Sequence, residues 1–394
     1  MSTLKVDAIR HNSATSDAIT TASDGTCTAR ITGMTGGGGL SHRNIFINGA
    51  MTVAQRGVTS TSQDYQTVDR MKSVQTSINE VATQSQSDVA SGTTPYTLGF
   101  RKAYKLQNGN QTSGANSDDV IRMQSRLEAQ TIANSGWNYK SSSSYITLSF
   151  WCKSSVAQNF YIQLVSYDGS AYSYTFETGA LTADTWTKVT HSIPGNSNLQ
   201  FDNDANLGLD MYWIQYYGTD STSSSHSLNS WAAYASGSKS PDMTTTWYTT
   251  NDATWELTGV QLEVGSVATP FEHRSYQDEL HRCHRYYQKL SGDALTYYGV
   301  GNVDGGTMAQ ILVNFVTEMR AAPGTMDTSG TNGDYTIRMN SNAACTQQPA
   351  LSNRTTKNAM VIFYASGHGF TNGQAVFARA ANNTNGFLGF SAEL

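Results

Sequence analysis

LTGVQLEVGSVATPFEHRSYQDELHRCHRYYQKL, residues Leu257 to Leu290, reads as a strand, a turn and a helix standing between two β-rich regions. Trp255 and Leu257 alternate with polar partners, and after Gly259 the phase slips so that Val260, Leu262 and Val264 carry the apolar face. A one-residue slip at glycine predicts a β-bulge, because glycine accepts the backbone that an extra residue needs. The residue before Pro270 is biased away from helix. Ser275 followed by Asp278 then makes an N-cap pair. Tyr276, Leu280, Cys283, Tyr287 and Leu290 recur at spacings of four, three, four and three, which predicts one apolar seam along a helix closed by Gly292. Asp278 and Glu279 at its start and Arg285 and Lys289 near its end follow the helix dipole.

Upstream of this hinge, strand-like runs recur from Asn44 onward, at 65–72, 96–106, 145–153, 160–167, 172–177, 186–193, 207–217 and 255–264. Asp168-Gly169 between two of them is a hairpin signal. Only 120–133 looks helical, and part of it suits a strand. Downstream, 294–303, 308–316, 334–339, 358–365, 375–380 and 387–390 alternate with Gly- and Asn-rich turns. The expected fold is therefore mainly β. It comprises an extended N-terminal arm (1–40), a jelly-roll-like β-sandwich (41–274), a connecting amphipathic helix (275–292) and a smaller C-terminal β-sandwich (293–394).

Composition fits this plan. Charged residues are 14% of the 394-residue chain, against about 25% in ordinary globular domains. With 21 Tyr, 13 Phe and 7 Trp the chain can bury a large apolar area, which argues against disorder. A net charge of −5 argues against nucleic acid as a main partner, since phosphate binding needs a concentrated basic surface. No run approaches a membrane span, and no leader-like apolar core is expected at the start. Cys27, Cys152, Cys283 and Cys345 are scattered without a C-x-x-C pair and read as free thiols of a protein assembled in a reducing cytoplasm.

Signatures of chemistry are sparse. The quartet Gly36 to Gly39 lacks the Lys-Ser/Thr of a phosphate loop, and no cofactor-binding motif is present. His281, Cys283 and His284 cannot share one helical face. Asp202, Asp204 and Asn206 alternate like calcium ligands, but Leu207 and Trp213 stand where the loop needs Gly and Glu, so a solvated turn is the better reading. Asp168, Glu177, Asp184, Asp210 and Glu256 offer carboxylates for glycan hydrolysis without a spacing that pairs them. No catalytic residue and no metal ligand is assigned. The physical lead is aromatic. The long polar connection 217–250 carries Trp231, Tyr234, Trp247 and Tyr248, and such rings either stack on sugars or plug one end of the sandwich. Trp151, Trp186, Trp213 and Trp255 fall inside strand patterns and are expected in the core.

The hinge stretch, with NIFINGAMTVAQRG (Asn44 to Gly57), YQTVDRM (Tyr65 to Met71), VTEMRAAPGTM (Val316 to Met326) and FSAEL (Phe390 to Leu394), resembles tailed-bacteriophage virion structural and tail-fibre-like proteins. The resemblance implies a non-enzymatic virion protein assembled in the host cytoplasm, a short tail fibre or similar appendage that forms a homotrimer and contacts host surface glycans. It further implies that the arm, through Leu4, Val6 and Ile9, docks to other virion proteins. A capsid decoration, collar or head-fibre protein is the alternative from the same particle, and a polysaccharide depolymerase the alternative from another class.

Overall fold

The computed structural model describes residues 6–10, 12–13, 15–21, 23, 27–29, 42–291, 293–366 and 368–394. Twelve strands of the first unit form two six-stranded sheets in which every strand pairs antiparallel with its neighbours. The front sheet runs Trp231–Ala233, Tyr172–Ala180, Asn159–Ser166, Leu207–Tyr217, Val120–Glu128 and Lys72–Thr76. The back sheet runs Thr187–Pro194, Tyr145–Ser154, Thr254–Val264, Lys102–Gln107, Thr83–Asp88 and Thr59–Ser60. The fold is mainly β, as expected. Asp168 and Gly169 turn the Asn159–Ser166/Tyr172–Ala180 hairpin, with Gly169 at φ 66°.

Alternate residues of both sheets fill one core. Trp213 meets Phe46 and Phe150 edge-on, with both centroid distances 6.1 Å, and Trp255 meets Phe160 at 6.0 Å. Trp213 and Trp255 are therefore core residues, in line with the sequence. In 120–133 the strand covers Val120–Glu128, and the helix is confined to Ala129–Ala133.

The hinge strand Thr254–Val264 carries the bulge anticipated at Gly259, whose φ is 63°. Before the bulge the strand pairs with Lys102–Gln107. After it, residues 44–49 take over that side: Ile45 N–H donates to Leu262 O at 2.8 Å and Val260 N–H to Gly49 O at 2.9 Å. The bulge thus lets one strand serve two successive neighbours.

Ser275 caps the next helix, its Oγ accepting from Asp278 N–H at 3.1 Å. The expected long helix is not formed. It ends at Cys283, and Tyr287–Ser291 is instead a strand paired with Phe387–Ser391. Ladder pairing with a distant segment, together with stacking of the Tyr286 and Tyr287 rings, overrides a helical propensity that is only a weak prior. The five-residue apolar seam is broken accordingly: Tyr276 is 58% exposed, and Tyr287 and Leu290 lie beyond the helix. Gly292 falls outside the described residues.

In the C-terminal unit the order Asn342–Ala344, Tyr335–Arg338, Ala375–Ala380, Tyr297–Asp304, Met308–Asn314, Asn358–Tyr364 and Ala350–Arg354 makes a seven-stranded sheet. A second sheet places Phe387–Ser391 between Tyr287–Ser291 and Thr325–Thr328. Val303, Ile311, Phe363, Leu388 and Phe390 share its core. Near the N-terminus, Ala8–Ile9, Ile19–Thr21 and Cys27–Ala29 form a small three-stranded antiparallel sheet, so this part of the arm is folded rather than wholly extended. Leu4 lies outside the described residues, while Val6 and Ile9 are exposed.

A Cβ at Gly259 would stand 2.8 Å from Phe100 Cζ and 3.1 Å from Trp151 Cδ1, on a backbone that side chains rarely adopt. Gly259→Ala is expected to destabilise the protein by about 1–3 kcal/mol, read as a lowered urea midpoint; an unchanged midpoint would remove the bulge from the account.

Candidate functional site

The four loop aromatics do not converge. Trp247 and Tyr248, on the short helix Thr246–Thr249, are buried in the core and have no ring face free for a ligand. Trp247 Nε1–H donates to Thr254 O at 3.0 Å, and Tyr248 stacks on Tyr216 at 4.3 Å. Both are packing residues, the plugging role that stood beside sugar stacking as an alternative. Trp231 and Tyr234 are half-buried at the outer edge of the front sheet. Trp231 Nε1–H donates to Pro194 O at 2.7 Å, with its ring 5.4 Å from Tyr174, and Tyr234 lies 6.2 Å from Tyr167.

The rest of the connection lies across the outer face of the front sheet. Gln163 Nε2–H and Thr175 Oγ1–H, on two adjacent strands, both donate to Lys239 O, at 2.8 and 2.9 Å. Beneath it Val165, Tyr212, Ile214 and Tyr217 form a buried apolar cluster, with Met243 packed on it. The Arg122 guanidinium covers the Tyr212 ring at 4.2 Å. Burial, and then the nearby Arg122, hold the Lys239 ammonium below its usual pKa. This sheet face is sealed by the chain itself.

Where the sequence motifs do converge is the seam between the two β units. The Glu393 carboxylate is buried and shared by two arginines: it accepts from Arg56 Nη1 at 3.3 Å and is paired with Arg70. Each guanidinium also stacks on a tyrosine, Arg56 over Tyr287 and Arg70 over Tyr286, both at 3.5 Å. Arg320 ties down the same segment, donating to Ala392 O at 2.8 Å and Glu393 O at 3.0 Å, and reaches back to Ala205 O at 2.9 Å. On the far side of Tyr286, buried Glu128 accepts from Arg285 Nε and Nη2, both at 2.7 Å, and from the Tyr286 hydroxyl at 2.5 Å. Although burial alone would raise it, Arg285 and Tyr286 hold the Glu128 carboxyl below the usual range. Gln55 bridges Asp69 and Tyr287 O, at 2.5 and 2.9 Å from its Nε2. The seam thus joins Arg56 of the NGAMTVAQRG segment, Arg70 of YQTVDRM, Tyr286 and Tyr287 of the hinge, Arg320 of VTEMRAAPGTM and Glu393 of FSAEL.

The acidic candidates are dispersed on separate partners. Asp210 is buried and accepts from Gln124 and Arg126, Glu256 pairs with Lys153 at 2.9 Å, and Glu177 accepts from Asn159 at 2.8 Å. Asp168 accepts from Asp202 N–H at 2.9 Å, and Asp204 from Asn206 N–H at 2.9 Å, the solvated-turn geometry expected there. Cys152, Cys283 and Cys345 are free and buried, and burial pushes the Cys152 and Cys345 thiols up to about 12.

Two tryptophans expected in the core are not there. Trp151 and Trp186 are half-buried on the outer face of the back sheet, where Trp186 lies 5.3 Å from Lys153 Nζ. Strand parity carries the signal for Trp151: Ile146, Leu148, Phe150 and Cys152 point inward, so the residue between the last two points out.

No family model matches the chain, and no curated protein matches it. Among solved structures, the bacteriophage CBA120 tailspike protein 4 enzymatically active domain aligns with 56% of this chain at 9% identity and a TM-score of 0.30, over 21% of that chain. The family 11 carbohydrate-binding module from Clostridium thermocellum, solved with a β-1,3-1,4-mixed-linked tetrasaccharide, aligns with 55% of this chain and 98% of its own at 11% identity and a TM-score of 0.24. A CBM4 protein aligns with 55% of this chain and 98% of its own, at 11% identity and a TM-score of 0.26. At these values the likenesses carry no functional assignment.

Removing the shared carboxylate leaves the buried Arg70 guanidinium without its counter-charge and Arg56 with only Asp327, at 3.9 Å. Glu393→Ala is therefore expected to cost about 3–5 kcal/mol in urea unfolding; a loss within experimental error would show that the seam contributes nothing. Asp69 supplies a pH signature. Burial pushes its carboxyl from 3.8 up to about 6, against the opposing pull of Arg56 and Gln55. The folded state therefore holds this proton more tightly than the unfolded state. The stabilising contribution is full below 3.8 and is lost as pH rises through about 6. Relative to Asp69→Asn, the wild type should lose stability across that window, and a pH-independent difference would exclude this role.

Proposed function

We propose that the chain is a non-enzymatic structural component of a tailed-bacteriophage particle, a short tail fibre or similar appendage. The observation that carries this reading is the convergence of the resembling segments. Four of them and the hinge tyrosines meet in one buried seam that fixes two β units to each other, with Glu393 held by Arg56 and Arg70. A seam of this kind sets geometry: it orients one unit on the other and resists their separation. The role suits a protein built into a larger assembly.

The N-terminal sheet is the docking element in this reading. Val6 and Ile9, 42% and 53% exposed, present apolar side chains that a neighbouring virion protein would cover. The appendage is a homotrimer, and the units beyond the arm face the host, where surface glycans are the ligand class.

Three measurements separate this reading from its competitors. Full-length protein is expected to elute with three times the 42.7 kDa chain mass in light-scattering chromatography, to label the tail in electron micrographs, and to block phage adsorption when added to host cells. Labelling of the head, with particles losing stability when the protein is absent, would replace the fibre by a decoration role. Release of reducing ends from host polysaccharide would make the protein a depolymerase.

A further inference from the structure

A cleft of about 430 Å³ opens on the outer face of the back sheet, away from both the seam and the loop-covered front sheet. Trp151, Phe271, Phe100, Lys188, Ser149 and His273 line it. Its floor is the sheet at the bulge, where Gly259 lets the Trp151 ring approach the backbone: a Cβ there would be 3.1 Å from Trp151 Cδ1. Its far wall is the turn after the hinge strand. Phe271 packs edge-on against Phe100 at 4.8 Å and against His273 at 4.9 Å, and His273 Nε2 is fixed 2.9 Å from Leu98 O. Ladder register sets Lys188 directly beside Trp151, with Thr190 and Ser149 as the next cross-strand pair on the same face.

The charges at this face are arranged unequally. Lys153 is neutralised by Glu256 at 2.9 Å, and Glu256 also accepts from Ser87. Glu263 is engaged by Thr269 and Gln261. Lys188 is exposed and forms no ion pair among the described residues. The cleft therefore combines the half-buried rings of Trp151 and Phe271, the hydroxyls of Ser149 and Thr269, and the exposed Lys188 ammonium.

A pyranose ring has an apolar C–H face that suits an indole or phenyl ring and a rim of hydroxyls that suits Ser and Thr. An unneutralised ammonium at the mouth selects a carboxylate on that rim, because a charge-assisted hydrogen bond is stronger than a neutral one. We propose that this cleft binds a hexuronate residue of an acidic glycan, with Trp151 and Phe271 against the sugar face and the Lys188 ammonium on the carboxylate. The assignment goes beyond the particle reading and stands or falls without it, since it concerns binding by the isolated protein.

Titration calorimetry of the full-length protein with trigalacturonate and with cellotriose tests it. Saturable binding of trigalacturonate at one site per chain, with cellotriose at least about tenfold weaker, is expected. Lys188→Gln should weaken trigalacturonate binding about tenfold or more while leaving the melting temperature unchanged. Trp151→Ala should abolish binding and Trp151→Phe retain part of it, which separates loss of stacking from loss of fold; Trp231→Ala should bind as wild type. No binding of trigalacturonate overturns the proposal, as does equal binding of cellotriose or a Lys188→Gln titration that matches wild type. A fall in oligomeric mass on Trp151→Ala also overturns it, by making this face a contact between copies of the chain.

Discussion

One carboxylate governs how the two β units meet. Glu393 is buried between two guanidiniums, and neither arginine has a solvated alternative, because each is also pressed against a tyrosine ring. Buried cations are tolerated only when paired and hydrogen-bonded. That requirement fixes a chain of positions. Tyr286 and Tyr287 must leave the helix to present their rings, residues 287–291 must become a strand, and Phe387–Ser391 must lie beside it to bring Glu393 to the arginines. The early end of the connecting helix is a consequence of the seam.

The parts of this architecture that were legible from sequence are the local ones. The bulge at Gly259, the turn at Asp168-Gly169 and the cap at Ser275 are written in residues a few positions apart, and each formed where the pattern placed it. The helix length was not legible because Tyr287 and Leu290 keep a helical spacing while their ladder partners, Ser391 and Leu388, are remote in sequence. For Trp247 and Tyr248 the sequence left stacking and packing both open for the same reason: a polar neighbourhood in sequence conceals a core position in space. Trp151 could have been placed by parity, since the apolar residues flanking it already claimed the inward face. The seam had no such signal. Its arginines carry no periodicity, and a cation–π stack leaves no spacing in the chain.

The two sheets of the first unit differ in how their outer faces are finished. The front sheet is covered by its own long connection, which satisfies Gln163 and Thr175 and buries an apolar cluster. The back sheet keeps Trp151 and Trp186 half-open and is crossed by the hinge stretch, whose Gly259, Pro270 and Phe271 shape its cleft. The stretch that closes the sandwich therefore also furnishes a recess on it. Geometry and binding share residues here, so a substitution in the hinge acts on both.

The Arg70–Glu393 pair spans 323 positions of sequence. Closing so large a loop costs more chain entropy than the shorter-range pairings within each unit. Without the second unit, Arg70 lacks the carboxylate that answers its charge. The seam thus acts as a completion check on the chain: a first unit that folds without its distant partner carries an exposed, unbalanced joint, and a molecule in which the second unit is misfolded or cut short is marked as such by instability at the very place where its halves should meet.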